Sequence, residues 1–181
     1  MKGIIFNLLE QIVRQEYGEE TWDKLLDSAG LGGAYTSLGS YPDGDLMKIV
    51  QAACDALGKT PEEITRWTGR RALPSFHAKY PKLFSMHPST RSFVLALNHI
   101  IHPEVRKLYP GADVPEFEFD TSSPEVLVMG YQSPRKMCFF AEGLIEGAAE
   151  HYGEAVKFEH VKCMHRGDPA CVFHITFTKK D

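Results

Sequence analysis

The sequence lacks an excess of positive charge. Its 20 lysines and arginines are outnumbered by 24 aspartates and glutamates, which gives a formal net charge of −4 at pH 7. Domains that bind nucleic acids usually carry a basic face, so this class of protein is not expected. The sequence also lacks the long uncharged apolar run that a membrane-spanning helix needs. We therefore expect neither nucleic-acid nor membrane binding.

Signals for export and for catalysis are also missing. The first ten residues contain a lysine and a short apolar stretch, but no small-residue cleavage site follows them. We therefore expect a first helix instead of a signal peptide, and a cytoplasmic protein. No nucleophile–base pair or phosphate-binding loop stands out, because Asp43, Asp45 and Glu62-Glu63 fit turns and helix starts. The chain is not expected to be an enzyme.

Cysteine is scarce, with four residues at positions 54, 138, 163 and 171. Disulfides are rare in the cytoplasm, so these cysteines are expected to be thiols or metal ligands. Cys54 lies apart from the others on an amphipathic helical pattern, and we expect it in the core.

Two periodicities divide the chain into a helical part and a part with strands. Helical spacing of apolar residues predicts helices in the first two-thirds, over 5–17, 21–29, 45–57, 60–71 and 89–108. Pro103 should bend the last of these. Alternation then predicts strands, with one helix over 137–152, at 116–120, 126–131, 156–161 and 170–177. We expect an α+β fold in one domain over 1–181, with a helical subdomain before a four-stranded antiparallel sheet.

One of the eight histidines lies on a strongly apolar helix face. The residues around His102 at helical spacing are Phe93, Leu97, Ile101 and Val105. A neutral imidazole beside such a surface suits haem iron, which takes a proximal histidine in a water-poor pocket. His99 lies one turn earlier, and the spacing does not choose between the two.

A second group of polar side chains follows a predicted strand. Tyr131, Ser133 and Arg135 occupy alternate positions, so an extended segment places them on one side. Arginine can bind a carboxylate through two parallel hydrogen bonds, so the group could hold the two propionates of haem. The same pattern also fits an edge strand whose polar residues face water.

Together these segments resemble the H-NOX (haem nitric oxide/oxygen binding) domains, bacterial relatives of the sensor domain of soluble guanylate cyclase. The resemblance spans nearly the whole chain and rests on four segments, which are Met1-Lys2-Gly3-Ile4-Ile5, His102 to Tyr109-Pro110-Gly111, Pro115, and Tyr131-x-Ser133-x-Arg135-Lys136-Met137. It implies a b-type haem between the two halves, with His102 as proximal ligand and Tyr131, Ser133 and Arg135 on the propionates. It also implies that Ile5 and Pro115 press on the porphyrin. The alternatives are that Ile5 only packs in the core and that Pro115 only breaks a loop.

The resemblance also bears on the choice of gas. Some family members hold O2 through a tyrosine at the position that matches Phe140 here, one helical turn before Leu144. Phenylalanine has no hydroxyl to donate, so we expect binding of NO and CO and exclusion of O2. Tyr17, Trp67 or His77 would overturn this expectation by entering the pocket.

The family implies a route for the signal and a class of partner. NO weakens the bond on the opposite side of the iron, so His102 would be released and the two halves could shift. Stand-alone H-NOX proteins regulate a histidine kinase or a cyclic-di-GMP-metabolising enzyme, and we expect a partner of this kind.

A second metal site is suggested by His160-x2-Cys163 together with Cys171 and Cys138. Three cysteines and one histidine fit a closed tetrahedral structural zinc site, and some H-NOX members resemble this arrangement. His165 and His174 are alternative ligands, and ordinary buried thiols are the alternative to any metal.

A binding module for a small organic ligand remains the competing function. In that case Arg135 would bind a ligand carboxylate, His102 would have no ligand role, and the protein would be colourless instead of red or orange.

Overall fold

The structure is a computed structural model that describes residues 1–180. Its first half contains the helices α1 (Gly3–Tyr17), α2 (Glu19–Ala29), α3 (Asp43–Leu57), α4 (Pro61–Lys79), α5 (Pro81–Ser85), α6 (Thr90–Leu95) and α7 (His102–Leu108). Its second half contains β1 (Glu116–Asp120), β2 (Val126–Gln132), α8 (Cys138–His151), β3 (Glu154–Lys162) and β4 (Cys171–Lys179). The strands form an antiparallel sheet in the order β1-β2-β4-β3. The predicted α+β fold is confirmed.

The first three helices enclose a core of their own. Phe6 of α1, Trp22 of α2 and Ile49 of α3 are almost fully buried in one apolar cluster. Burial of such large side chains contributes about 1.5–3 kcal/mol each, so this cluster stabilises the packing of the first three helices. An isolated bridge between Lys2 and Ser40 ties the start of α1 to the loop before α3.

Helix α4 is longer than the sequence pattern predicts. The expected helix runs towards Arg71, whereas α4 continues through Pro74 to Lys79. Its start is fixed by a capping box in which Thr60 and Glu63 satisfy each other's backbone N–H groups. Pro74 deprives the Arg70 carbonyl of its helical donor, but α8 packs directly against this carbonyl, and tertiary packing keeps the helix continuous.

Helices α4 and α8 approach each other through glycines. A Cβ atom on Gly143 would lie 1.9 Å from the Arg66 carbonyl oxygen, and one on Gly69 would lie 2.3 Å from the Phe140 carbonyl oxygen. Only glycine fits at such distances, so the two backbones are in direct contact. This contact joins the helical half to the half that contains the sheet.

Helix α8 also covers one face of the sheet. Side chains from the inner strands β2 and β4 and from α8 form a buried cluster that includes Leu127, Met129, Ile145, Phe173 and Ile175. The outer strands complete the sheet at its two edges. Within residues 1–180, no helix combines the length and the apolar character needed to span a membrane.

Candidate functional site

A cavity of about 420 Å³ lies between the two halves of the molecule. Helices α1, α4, α6, α7 and α8 and strands β1 and β2 all contribute to its wall. Its volume falls in the range of about 300–1,000 Å³ that is usual for small-molecule and cofactor sites. The wall is mainly apolar, with polar side chains concentrated around β2 and α7.

Every residue that the sequence places on the haem lines this one cavity. These residues are Ile5, His102, Pro115, Tyr131, Ser133, Arg135, Phe140 and Leu144. His99, the competing histidine, is exposed and is not part of the cavity wall. The geometry thus distinguishes His102 from His99, which spacing could not do.

A short π-helical segment, Leu97–Ile101, sets the direction of His102. The N–H of Ile101 donates to the Ala96 carbonyl at 3.1 Å, five residues back instead of four. The proline after His102 explains the wider turn, because its ring would collide with the His99 carbonyl in a regular helix. The expected bend near Pro103 is therefore a π-helical bulge just before it.

The imidazole of His102 is neutral at physiological pH. Burial lowers its pKa to about 4, and the positive charge of Arg106 adds to this effect. The Phe117 ring lies 5.5 Å from the imidazole, centroid to centroid. A neutral imidazole keeps a lone pair available, which is the state in which histidine binds a metal.

Tyr131 and Ser133 are both buried at the edge of the cavity. The Tyr131 hydroxyl accepts a 3.0 Å hydrogen bond from the Met137 backbone N–H. Burial raises the pKa of Tyr131 to about 12, so its O–H stays protonated and can donate to an anionic ligand. Ser133 Oγ accepts a 3.3 Å hydrogen bond from the Arg135 N–H, which leaves its own hydroxyl proton free to donate.

Arg135 is held at the cavity by two carboxylates. Its Nε donates to Asp43 Oδ2 at 2.9 Å, and a terminal nitrogen lies 3.0 Å from Asp113 Oδ2. Burial raises the pKa of Asp43, but hydrogen bonds from the N-terminal ammonium and Arg135 outweigh it and lower the pKa overall. Neither partner was predicted from the sequence, since Asp43 fits a helix start and Asp113 lies in a loop.

Three helices form an entirely apolar part of the cavity wall. The residues that α1, α4 and α8 contribute to it are Ile4, Ile5, Leu73, Phe76, Phe140, Ala141, Leu144 and Ile145. Tyr17, Trp67 and His77 are absent from the wall. Tyr17 and Trp67 line a separate cavity of about 60 Å³, while His77 packs 4.2 Å from the His151 ring. None of the three therefore supplies a hydrogen-bond donor to this wall.

A second cluster joins Cys138, His160, Cys163 and Cys171. One potential ligand atom from each residue lies within 4.8 Å of the others, and the cysteines are buried. The Cys138 and Cys163 sulfurs are 4.0 Å apart, close to the separation of about 3.8 Å that tetrahedral zinc–sulfur bonds of about 2.3 Å require. His165 instead approaches the Lys136 carbonyl at 2.6 Å, and His174 is partly exposed beside Glu159.

A β-bulge brings His160 and Cys163 to the same side. In a regular strand, residues three apart point to opposite faces of the sheet. The pairing with β4 shifts between His160, opposite Phe173, and Lys162, opposite Val172, so Val161 is the extra residue. A bulge of this kind redirects the following side chains. The bulge therefore allows His160 and Cys163 to face one metal ion.

The chemistry of the cluster fits a metal ion. Among residues 1–180, His160 Nε2 is buried without a hydrogen-bond partner, which is costly unless a ligand satisfies it. The Met164 N–H donates to Cys171 Sγ at 3.3 Å, a contact that suits a thiolate. Burial raises the pKa values of Cys138 and Cys171 while they are thiols, so metal binding would have to displace their protons.

The family model described as Haem-NO-binding matches residues 2–160. The chain belongs to the H-NOX family. H-NOX domains are haem-binding gas sensors, and this one shares their fold as well as their sequence pattern. No match was found among curated proteins.

Solved structures of relatives align over almost their whole length. The H-NOX protein from S. oneidensis in the Fe(II)NO state is 30% identical, with 99% of this chain and 100% of that chain covered and a TM-score of 0.93. The unliganded Fe(II) H-NOX protein from K. algicida is 26% identical, with 99% and 98% covered and a TM-score of 0.87. The Fe(II)CO form from Shewanella woodyi is 30% identical, with 97% and 94% covered and a TM-score of 0.83.

Proposed function

We propose that this H-NOX protein is an NO sensor that also binds CO, excludes O2 and regulates a separate signalling protein. The observation that carries the proposal is the contrast between the two sides of the cavity. His102 faces it from α7, whereas α1, α4 and α8 face it with apolar side chains alone.

The cofactor in this proposal is a b-type haem in the 420 Å³ cavity. When bound, haem supplies a ferrous iron that takes a gas as ligand, as in the relatives solved with NO or CO. His102 offers its neutral imidazole to that iron. Tyr131, Ser133 and Arg135 offer two hydroxyl donors and a guanidinium to the propionates.

Exclusion of O2 follows from the missing donor. Bound O2 carries partial negative charge and gains from a hydrogen bond, whereas NO binds without one. A polar hydrogen bond is typically about 1–3 kcal/mol, so its absence lowers O2 affinity by roughly tenfold to a hundredfold. The family resemblance matches Phe140 to the tyrosine of oxygen-binding members, and Phe140 lines the apolar wall.

The output of the sensor is proposed to start from His102. This residue is the first of α7 and directly follows the π segment, so its release would free α7 to move against β1. The partner that reads the change is proposed to be a histidine kinase or a cyclic-di-GMP-metabolising enzyme. The cytoplasmic location of the protein stays a prediction from the sequence.

A structural zinc ion is part of the same proposal. Cys138, His160, Cys163 and Cys171 form a closed set of four ligands, with no position left for substrate, as in structural sites. The ion would fasten the turn between β3 and β4 to the start of α8.

The deciding experiment is an absorption spectrum of the reduced protein under argon, then with NO, and separately in air. A broad Soret band of five-coordinate ferrous haem that changes with NO but not on brief exposure to air supports the proposal. An oxygenated spectrum in air would refute the exclusion of O2. A colourless protein even after haem is supplied would refute the sensor and point to a small organic ligand.

A further inference from the structure

Glu142 is a buried carboxylate that the haem site does not use. Its side chain is 3% exposed in the middle of α8, between the apolar neighbours Ala141 and Gly143. A buried carboxylate is costly unless charged or hydrogen-bonding partners compensate it. Its position therefore calls for a partner.

The two oxygens of Glu142 face two different groups. Oε2 lies 3.1 Å from a terminal nitrogen of Arg66 on α4. Oε1 lies 3.0 Å from His160 Nδ1 on β3, although the two are not aligned for a hydrogen bond in this structure. Arg66 also pairs with Glu146 at 2.6 Å, so the guanidinium holds both carboxylates at the α4–α8 contact.

The His160 ring thus has a different environment at each nitrogen. Nδ1 faces Glu142, while Nε2 is buried and lacks a hydrogen-bond partner within the described part of the chain. Nε2 is therefore the nitrogen available to the three cysteines. Histidines that bind metals usually donate the other ring N–H to a carboxylate, which fixes the tautomer and increases ligand basicity.

We propose that Glu142 is a positioning residue for the zinc site: its carboxylate accepts a hydrogen bond from His160 Nδ1–H and directs Nε2 to the metal. This inference rests on the zinc site proposed above. A metal ion at Nε2 would leave the proton on Nδ1, which lies 3.0 Å from the Glu142 carboxylate that would accept it. Arg66 compensates the carboxylate charge, which links the zinc site to α4 as well as α8.

The test compares Glu142→Gln with Glu146→Gln in the haem-loaded protein. Both variants remove one carboxylate from Arg66, but only the first changes the group that faces His160. Zinc affinity is measured by competition with a chromophoric chelator. We expect Glu142→Gln to weaken zinc binding by about 10–100-fold, the usual effect of losing such a partner, and Glu146→Gln to leave it within about threefold of the parent. Equal affinities for the two variants would overturn the inference.

A second measurement needs no variant and so does not depend on folding of the mutants. Nitrogen-15 NMR of the cadmium-113-substituted protein identifies the metal-bound nitrogen of His160. Coupling to Nε2, with a protonated Nδ1, is expected, and coupling to Nδ1 would refute the inference. Reduced parent protein that binds no zinc would refute the zinc site and this inference together, whereas the Soret spectrum tests the gas sensor separately.

Discussion

The side-chain amide of Asn98 donates a 2.6 Å hydrogen bond to the backbone carbonyl of Phe117. Asn98 lies in the π segment and Phe117 in the edge strand β1, so this bond fastens the irregular turn before His102 to the sheet. The Phe117 ring in turn packs 5.5 Å from the His102 ring. The orientation of His102 therefore depends on the sheet as well as on its own helix.

Replacement of Asn98 by alanine should destabilise the protein. The Phe117 carbonyl loses its donor at a half-buried site, which costs about 1–3 kcal/mol. The midpoint of urea unfolding should be lower than in the parent. In a separate measurement, haem should transfer faster to an acceptor protein. The matched control is Asn7→Ala, which removes a 3.0 Å bond to the Ser37 hydroxyl between two residues that do not line the cavity. Equal haem transfer rates in the two variants would contradict this role.

Removal of the His102 side chain should abolish the NO response while leaving a site that can be refilled. In His102→Gly, the ring-sized space next to Phe117 should admit free imidazole, which restores a five-coordinate ferrous spectrum. The response of a partner enzyme to NO should stay lost, because imidazole is not attached to α7. His99→Gly is the control, since His99 is exposed, and it should resemble the parent. A partner response to NO that persists in the imidazole-filled variant would show that α7 is not the route.

Introduction of a hydroxyl at Phe140 should increase O2 affinity. Phe140→Tyr places a donor in the apolar wall, and about 1–3 kcal/mol of hydrogen bonding corresponds to roughly tenfold to a hundredfold tighter binding. The measurement is the absorption spectrum of the ferrous variant titrated with O2. Phe119→Tyr adds the same hydroxyl on β1 outside the cavity wall and should have no effect. Unchanged O2 binding in Phe140→Tyr would mean that another feature excludes the gas.

A methyl group at Gly143 should separate α4 from α8. The new Cβ would lie 1.9 Å from the Arg66 carbonyl oxygen, so the backbones must move apart, and overpacking of this kind costs about 1–3 kcal/mol or more. Thermal unfolding of Gly143→Ala should show a clearly lower midpoint. Gly44→Ala in the first turn of α3 meets no atom within 4 Å and should be neutral or stabilising. Similar midpoints for the two variants would argue against a tight helix contact.

The His77–His151 pair should make stability fall in mild acid. Burial lowers the pKa of His151, and the nearby His77 lowers it further. As the pH decreases, His151 in the unfolded chain binds a proton near the ordinary histidine pKa of about 6.5, before His151 in the folded chain does. The free energy of unfolding is therefore highest above that pH and decreases below it. His77→Gln should make urea midpoints less sensitive to pH between about 7 and 5. A slope as steep as the parent's would refute the coupling.

Motifs in the sequence predicted a set of residues that all line one cavity, because the chemistry expected of them depends on residue type. Tyr131, Ser133 and Arg135 line one cavity, as alternation predicts, but β2 ends at Gln132 and Arg135 lies in the turn that follows, so the segment is not extended throughout. The choice of His102 over His99 came from the family resemblance, since a regular helix cannot show which of two histidines one turn apart faces inwards. The π segment that settles the direction depends on Pro103 and on contacts with β1, which are distant in sequence.

Other parts of the site could not be predicted because they arise from tertiary contacts. Asp43 pairs with Arg135 although 92 positions separate them, and nothing in the turn at Asp43 indicates such a partner. Glu142 was hidden by its spacing, because with Glu146 and Glu150 it forms an acidic row at every fourth position of α8, a pattern typical of a helix face in water. The His160-x2-Cys163 spacing suggested a pair of ligands. The two side chains reach the same side only because of the bulge at Val161, and no residue pattern predicts that bulge.

Because of the π segment, the position of His102 depends on the number of residues that precede it in the helix. Deletion of one residue from 97–101 would convert the wide turn into a regular α-helical one, in which the Pro103 ring collides with the carbonyl four residues before it. The backbone that carries His102 would have to move, although every residue with a chemical role would still be present. Insertions and deletions in this stretch are therefore expected to be as damaging as loss of the histidine itself, whichever residues are added or removed.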